Sequence, residues 1–272
     1  MIFLGNSGVG KSFLANRCLG NEKFQHKCKP TAVTTQTDYS EISYDDRQYR
    51  VFDVPGLVEA KQDAIERNKK EIYKAFDICP NSMVLFVFGT QGGRIRNEDV
   101  IAFNALNDAY PFESKSLAIV VNSIPNDHDE DYEGETIVLL KQLLNMQDAC
   151  RNICFLENID KKDTNAIEQL RQKLFEVILQ IQPKVHAKVH DIELNTTLVN
   201  NLLKRMEILQ EEFRQERQNL TREIQEAQHR YQRELAHQQQ QFQQEARNYQ
   251  DKICHLADKL AKVQQVPACS IL

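Results

Sequence analysis

The sequence predicts an α/β fold, in which a doubly wound domain with a mostly parallel sheet precedes a long C-terminal α-helical coiled coil. Up to Pro183, short β-rich runs alternate with helical stretches, and this part holds all nine glycines. From Lys184 the chain is rich in Gln, Glu and Arg, with apolar residues at heptad-like spacing. We therefore expect an α/β domain over 1–183, a coiled-coil helix over 184–263 and a flexible tail over 264–272.

The predicted elements alternate as crossover helices between parallel strands require. A short apolar run opens the chain, a polar-apolar hairpin turns at Asp45-Asp46, and two continuous apolar runs suit buried central strands. The predicted strands are 2–4, 36–44, 48–54, 83–88, 117–121 and 152–156. The predicted helices, from composition and 3.6-residue spacing, are 11–19, 60–76, 97–109, 135–144 and 165–182.

The apolar spacing changes along the C-terminal helix. It begins as a heptad seam and then slips to eleven residues, as from Phe213 to Ile224 to Leu235. Such slips weaken left-handed supercoiling, so we expect a nearly straight helix that pairs in a homodimer or homo-oligomer. The glutamines before Phe242 predict a weak point in the seam.

Composition excludes several classes of protein. The chain is 41% hydrophobic and 27% charged, which excludes disorder throughout, and its longest apolar run, Met83 to Phe88, is too short to cross a bilayer. No signal-peptide pattern opens the sequence. Seven cysteines without a CxxC pair predict reduced thiols in the cytoplasm. The net charge of −5 predicts no general attraction to nucleic acid.

The strongest motif is a GxxxxGKS phosphate-binding loop between the first strand and the first helix. Its residues are Gly5, Asn6, Ser7, Gly8, Val9, Gly10, Lys11 and Ser12. Glycines allow backbone N–H groups to surround the β-phosphate, Lys11 reaches the β and γ oxygens, and Ser12 offers Mg²⁺ a hydroxyl. The pattern predicts a nucleoside triphosphate site.

A second motif, DxxG, ends an apolar strand about fifty residues later. We expect Asp53 to hold Mg²⁺ and the Gly56 N–H to sense the γ-phosphate. Between the motifs lies a threonine-rich segment that could lend Mg²⁺ a hydroxyl and close over the γ-phosphate. Thr34 is the first choice and Thr35 the second.

These residues carry a resemblance to the avirulence-induced-gene (AIG-type, GIMAP) GTPases. It rests on the P-loop, the threonine-rich segment, the Asp-Val-Pro-Gly-Leu ending and, above all, residues 78–88 continuing to Gly92–Asp99, a segment similar to that family's own conserved box. It covers about residues 1–182. It implies a septin-like and Toc-like domain that binds GTP or GDP with Mg²⁺, hydrolyses GTP slowly and pairs across its nucleotide face.

The base-reading segment departs from that family's pattern. The family usually has an aspartate after the fifth strand, and Pro125 stands there in this chain. Asn122 remains a candidate for the base edge, with an ordinary strand end as the alternative, and Asp127 for the missing carboxylate, with a solvated acidic loop as the alternative. Asn158 resembles the family's base-proximal asparagine turn.

The residues that would aid hydrolysis are less defined. Leu57 stands where small GTPases carry a water-orienting glutamine, so intrinsic turnover should be slow. Arg94 and Arg96 are candidates to act in trans, with a structural ion pair as the alternative, and Gln62 is another candidate. A nucleotide-regulated scaffold without significant turnover is therefore the alternative function.

The last four residues, Cys269-Ser270-Ile271-Leu272, fit a C-a-a-X prenylation motif. An unmodified tail is the alternative. We expect lipidation of Cys269 to attach the protein to the cytosolic face of a membrane, with dimerisation supplying the second anchor.

Overall fold

The computed structural model describes residues 1–25, 34–146 and 151–264. The strands are β1 (Ile2–Leu4), β2 (Asp38–Tyr44), β3 (Arg47–Asp53), β4 (Asn81–Ser82), β5 (Val84–Gln91), β6 (Arg94–Ile95), β7 (Leu117–Ile124), β8 (Ile153–Glu157) and β9 (Lys184–Val185). The helices are α1 (Lys11–Leu19), α2 (Gln62–Ile78), α3 (Asn97–Ala109), α4 (Tyr132–Leu143), α5 (Thr164–Ile178) and α6 (Thr196–Gln264). The C-a-a-X motif and most of the predicted tail lie outside the described residues.

Within the described part of the chain, the main sheet has the strand order β2-β3-β1-β5-β7-β8, with β6 paired to β5. The pairs among β3, β1, β5, β7 and β8 are parallel, while β2 and the short β6 are antiparallel. This order places the carboxyl ends of β1, β3, β5 and β7 along one edge, where the connecting loops can share a ligand.

Both faces of the sheet are covered by helices, which explains the continuous apolar run in β5. Val84, Phe86 and Phe88 lie in the core on the side of α2 and α3. Leu85 and Val87 lie in the core with α1 and α5 on the other side. Alternate residues of a strand point to opposite faces, so a strand buried on both must be apolar throughout.

The edge hairpin between β2 and β3 turns at Asp45 and Asp46, as the sequence predicts. Both residues have positive φ, at 50° and 57°. Two positive-φ residues give the mirror-image turn whose twist matches that of paired strands.

The first compact unit extends to Glu207, beyond the boundary that composition predicts after position 183. β9 pairs with β4, and α6 begins at Thr196 rather than at position 184. The reason is apolar burial, because Ile192, Leu194, Val199 and Met206 complete the core on the α2 side of the sheet. These residues are covered by the α/β unit and are therefore not part of an exposed seam.

The second unit starts at Ile208, and its described part is the remainder of α6. Large apolar side chains on this helix are exposed, including Tyr231 and Phe242. The long helix agrees with the predicted one, while its pairing as a coiled coil stays a prediction. No helix within residues 1–25, 34–146 and 151–264 is both long and apolar enough to cross a membrane.

Candidate functional site

The P-loop joins β1 to α1 in a backbone conformation that glycine makes accessible. Gly5, Gly8 and Gly10 have φ values of 137°, 79° and 97°. A Cβ on Gly5 would stand 2.4 Å from the Val87 carbonyl oxygen of β5, and one on Gly10 would stand 2.4 Å from Nδ2 of Asn122. The loop is thus seated against the ends of β5 and β7, where only backbone fits.

Lys11 lies inside this loop as the first residue of α1. Its Nζ donates to the Asn6 carbonyl oxygen at 2.8 Å, in buried surroundings. Burial lowers the pKa of Lys11, while Asp53, Asp99 and Glu59 oppose the shift. A buried ammonium beside three carboxylates is well placed to meet the negative charge of a phosphate.

Ser12, Thr34 and Asp53 converge at the mouth of the loop, although they come from three separate parts of the chain. Ser12 Oγ donates to Asp53 Oδ2 at 2.7 Å, Thr34 Oγ1 donates to the same oxygen at 3.2 Å, and the two hydroxyls are 3.1 Å apart. These are the three residues that the sequence predicts as Mg²⁺ ligands. Thr35 is exposed, so Thr34 is the threonine that joins this cluster.

One carboxylate oxygen of Asp53 makes no hydrogen bond to the described residues. This oxygen, Oδ1, is buried. Burial raises the pKa of Asp53, while Lys11, Ser12 and Thr34 act in the opposite direction. A buried carboxylate oxygen beside two hydroxyls fits a hard cation such as Mg²⁺, which prefers oxygen ligands.

Gly56 brings the loop after β3 against the P-loop. A Cβ at this position would stand 2.2 Å from the Ser7 nitrogen and 2.6 Å from the Asn6 carbonyl carbon. The Gly56 carbonyl oxygen accepts from Nδ2 of Asn68 in α2 at 2.5 Å. Close backbone approach, rather than an unusual φ, is therefore the reason for glycine here.

A buried network beneath the P-loop was not predicted from the sequence. Asn6 donates through Nδ2 to Asp99 Oδ1 at 3.0 Å, and its Oδ1 accepts the Val58 N–H at 3.0 Å. Asp99 Oδ2 accepts the Gly89 N–H at 2.8 Å. Asp99 is fully buried, and burial raises its pKa to about 6. One asparagine and one aspartate thus connect the P-loop with the loop after β3, with β5 and with α3.

The candidates for hydrolysis occupy different surroundings. Arg96 donates to the Ser7 carbonyl oxygen at 3.2 Å and lies 4.0 Å from Asp99 Oδ2, which is the structural ion pair that the sequence left open. Arg94 is exposed in β6. The Gln62 side chain donates to Glu66 and accepts from the Thr196 N–H. Of these three side chains, that of Arg94 alone makes no hydrogen bond or ion pair with the described residues, although its backbone pairs with Gln91.

The predicted base-reading residues lie near the ends of β7 and β8. Asn122 is buried, and its Nδ2 donates to the Val9 carbonyl oxygen at 2.8 Å, so it holds the P-loop against β7. Asn158 is exposed, and its N–H donates to the Ile124 carbonyl oxygen at 2.8 Å. Asp127 is exposed in the loop after β7. The structure therefore brings Asn122 to the P-loop and leaves Asn158 and Asp127 on the surface.

Comparison with known proteins places the chain in a family of nucleotide-binding proteins. The model of the AIG1 family matches residues 1–211. Mouse GTPase IMAP family member 8 is 29% identical over 123 residues, which is 44% of this chain and 18% of that protein. Immune-associated nucleotide-binding protein 12 of Arabidopsis thaliana is 28% identical over 139 residues, or 50% of this chain and 34% of that protein. The chain therefore spans between about a fifth and a third of the length of these curated relatives.

A solved structure shares the fold. It is that of the chloroplast translocon components atToc33 and psToc159, with a TM-score of 0.51 and 17% identity over 68% of this chain and 85% of that one. The P-loop, the converging Ser12 and Asp53, and the match over residues 1–211 lead to one conclusion. The chain belongs to the AIG1 family.

Proposed function

We propose that this protein binds GTP and GDP with Mg²⁺ and hydrolyses GTP slowly. The observation that carries the proposal is the convergence of Ser12, Thr34 and Asp53 beside the buried Lys11, with no partner for Asp53 Oδ1 in the part of the chain that the structure describes. When bound, Mg²⁺ neutralises charge on the β- and γ-phosphates. The Gly56 N–H, close to the P-loop, would sense the γ-phosphate, and the Lys11 ammonium would contact the β- and γ-phosphate oxygens.

The preference for guanine rests on family membership rather than on a base-reading aspartate. Pro125 occupies that position, and the Asn122 amide is engaged with Val9. Asn122 then acts by holding the P-loop, and Asn158 remains the candidate at the base edge. Calorimetry with GDP, ADP and non-hydrolysable analogues of GTP and ATP tests this directly. We expect micromolar or tighter binding of both guanine nucleotides, and equal affinity for the adenine pair would contradict the guanine assignment.

Slow hydrolysis is expected from Leu57, the residue that follows the DxxG motif. Leu57 is buried in the core with 1% exposure and has no polar side-chain atom, so it cannot orient an attacking water. The same fact favours the second candidate function, a nucleotide-regulated scaffold that binds GTP and leaves it intact. Measuring phosphate release from GTP with the protein in excess distinguishes the slow GTPase from the scaffold, because only the GTPase hydrolyses bound GTP.

We further propose that the triphosphate state pairs two chains across the nucleotide face. In atToc33 and psToc159, dimerization is important for the GTPase activity. In this chain the Arg94 side chain is exposed and could act on the partner's nucleotide, whereas Arg96 is held by Ser7 and Asp99. Light scattering of residues 1–207 with GDP and with a GTP analogue tests this. A monomer in both states would contradict it.

Membrane attachment stays a prediction of the sequence. Residues 265–272, which contain Cys269, lie outside the described part of the chain. Mass spectrometry of the protein from a eukaryotic host, beside the Cys269→Ser variant, would reveal a prenyl group of the expected mass or its absence.

A further inference from the structure

The helix that begins at Ile208 carries a repeat of eleven residues. Its large apolar side chains are between 45% and 70% exposed at the first position of each repeat, which is Leu209, Leu220, Tyr231, Phe242 and Ile253. A second series follows each of these by four residues and consists of Phe213, Ile224, Leu235, Ala246 and Ala257. We name the two series together the eleven-residue stripe.

The stripe lies on one narrow face of the helix. Eleven residues make three turns to within about 20°, and four residues advance by about 40°. A stripe this narrow is the seam of paired helices, whereas a helix on a membrane surface needs a broad apolar face and a basic polar face. Residues 208–257 hold eight acidic and seven basic residues, so the polar face is not basic.

Glutamates repeat with the same period beside the stripe. They follow the first four members of the first series by three residues and are Glu212, Glu223, Glu234 and Glu245. Three residues place them about 60° to one side of the first series. The flank on the other side, five residues after each glutamate, carries Arg217, Gln228, Gln239 and Gln250.

This asymmetry selects a direction of pairing. When two identical helices run parallel and in register, the glutamate flank of one faces the Arg and Gln flank of the other. An antiparallel pair would bring the two glutamate flanks together, and Arg230 and Lys252, which lie beside them, would offset part of that repulsion. Parallel register also places identical apolar residues in each layer.

We propose that the eleven-residue stripe binds a second copy of this chain in a parallel, in-register pair. A period of 11/3 residues per turn exceeds that of the α-helix slightly, so the pair is nearly straight or weakly right-handed. The pairing involves only residues 208–257 and is independent of nucleotide binding.

The first test compares two added charges at neighbouring positions. Sedimentation velocity of the nucleotide-free full chain should show a dimer at micromolar concentration. Leu235→Glu, in the stripe, should weaken it at least tenfold. Ala236→Glu, which adds the same charge about 100° away, should leave it unchanged. Equal effects of the two substitutions would overturn the proposal.

The second test uses the repeat length. Deleting residues 220–230 removes one repeat and keeps the stripe in phase, so the dimer should persist. Deleting only Gln225 and Glu226 rotates the two halves of the stripe by about 200°, so the dimer should weaken strongly despite the smaller change. Circular dichroism verifies that both variants keep the helix. Similar behaviour of both deletions would show that the repeat does not form the seam.

The third test determines whether the two helices run parallel and whether the stripe binds a second chain or a membrane. In a Cys254→Ser background, Leu220→Cys should form a disulfide-linked dimer on mild oxidation, and Arg222→Cys, on the opposite face, should not. The absence of a Leu220→Cys crosslink would overturn the parallel register. A monomeric intact chain that co-sediments with anionic phospholipid vesicles would show a membrane-binding face and overturn the proposal as a whole.

Discussion

At the scale of single residues, the site depends on polar groups held in buried surroundings before any ligand arrives. Asp53 Oδ1 has no hydrogen-bond partner among the described residues, and Lys11 is buried near three carboxylates. Such groups cost stability in isolation and gain their partners from the ligand. Substitutions here should therefore change nucleotide binding in specific ways.

Asp53→Asn should remove the Mg²⁺ dependence of GTP binding. The amide keeps the shape of the side chain but loses the negative charge that a hard cation requires. We expect affinity for a GTP analogue with Mg²⁺ to fall by roughly tenfold or more, and affinity without Mg²⁺ to change little. Calorimetry measures both. Asp38→Asn, on the paired strand opposite Asp53, is the matched control and should behave like the unmodified chain.

Lys11→Met should weaken triphosphate binding through loss of a charge-assisted contact. Methionine fills the buried volume of the lysine stem, so the fold should persist. The expected loss is about 1.5–3 kcal/mol. Lys23→Ala, at an exposed position, is the control. Unaltered affinity in Lys11→Met would mean that the P-loop does not hold the phosphates.

Asp99 should make stability depend on pH. Burial raises its pKa from 3.8 to about 6, so between these values the native state binds a proton that the unfolded state does not. Stability from this group is therefore present at low pH and falls as pH rises through 6. Between pH 5 and 7, the unmodified chain should lose about 1 kcal/mol relative to Asp99→Asn in urea unfolding. Asp108→Asn, exposed on the same helix, should show no such difference, and a pH-independent gap for Asp99→Asn would contradict the account.

At the scale of elements, the hydrophobic pattern of the sequence predicted those helices and strands that bury an apolar face in the core. The bounds of α1 and α3 agree with the prediction, because Gly10 and Gly20 flank α1 and Pro111 follows the end of α3. The two-residue strands β4, β6 and β9 carry too few residues for any pattern, and they form because tertiary contacts place them side by side. The Asn6–Asp99 bond joins residues 93 positions apart, which no local motif encodes.

The β2–β3 hairpin allows a test at this scale. Asp46 has a φ of 57°, which glycine adopts without a Cβ penalty. Asp46→Gly should raise the free energy of unfolding by about 0.5–1 kcal/mol. Asp46→Ala removes the same charge without the conformational freedom and should give no gain. Urea unfolding compares them, and an equal gain in both would assign the effect to charge.

At the scale of the whole molecule, the residues after position 183 have two separate roles. Residues 184–207 complete the core of the first unit, and the helix from Ile208 presents the eleven-residue stripe. Composition does not separate them, because a short apolar stretch that packs on a domain resembles the start of a seam. Leu202 and Met206 have the spacing of a heptad seam, but they pack in the core of the first unit.

Truncation tests this division. Residues 1–207 should unfold cooperatively, while residues 1–183 should lose several kcal/mol, since four buried apolar side chains, each worth about 1.5–3 kcal/mol, are removed. The quadruple variant of the full chain with Ile192, Leu194, Val199 and Met206 replaced by Ser is the control for chain length. Equal stability of 1–183 and 1–207 would show that the segment does not complete the core.

The central claim is that this AIG1-family chain is a slow, Mg²⁺-dependent GTPase, and a single-turnover assay tests it most directly. Limiting GTP is incubated with excess intact chain, and GTP, GDP and phosphate are quantified over time with Mg²⁺ and with chelator. We predict slow conversion of GTP to GDP that requires Mg²⁺ and is lost in Lys11→Met. GTP that remains bound and unconverted in the intact chain would contradict the claim and leave the nucleotide-regulated scaffold.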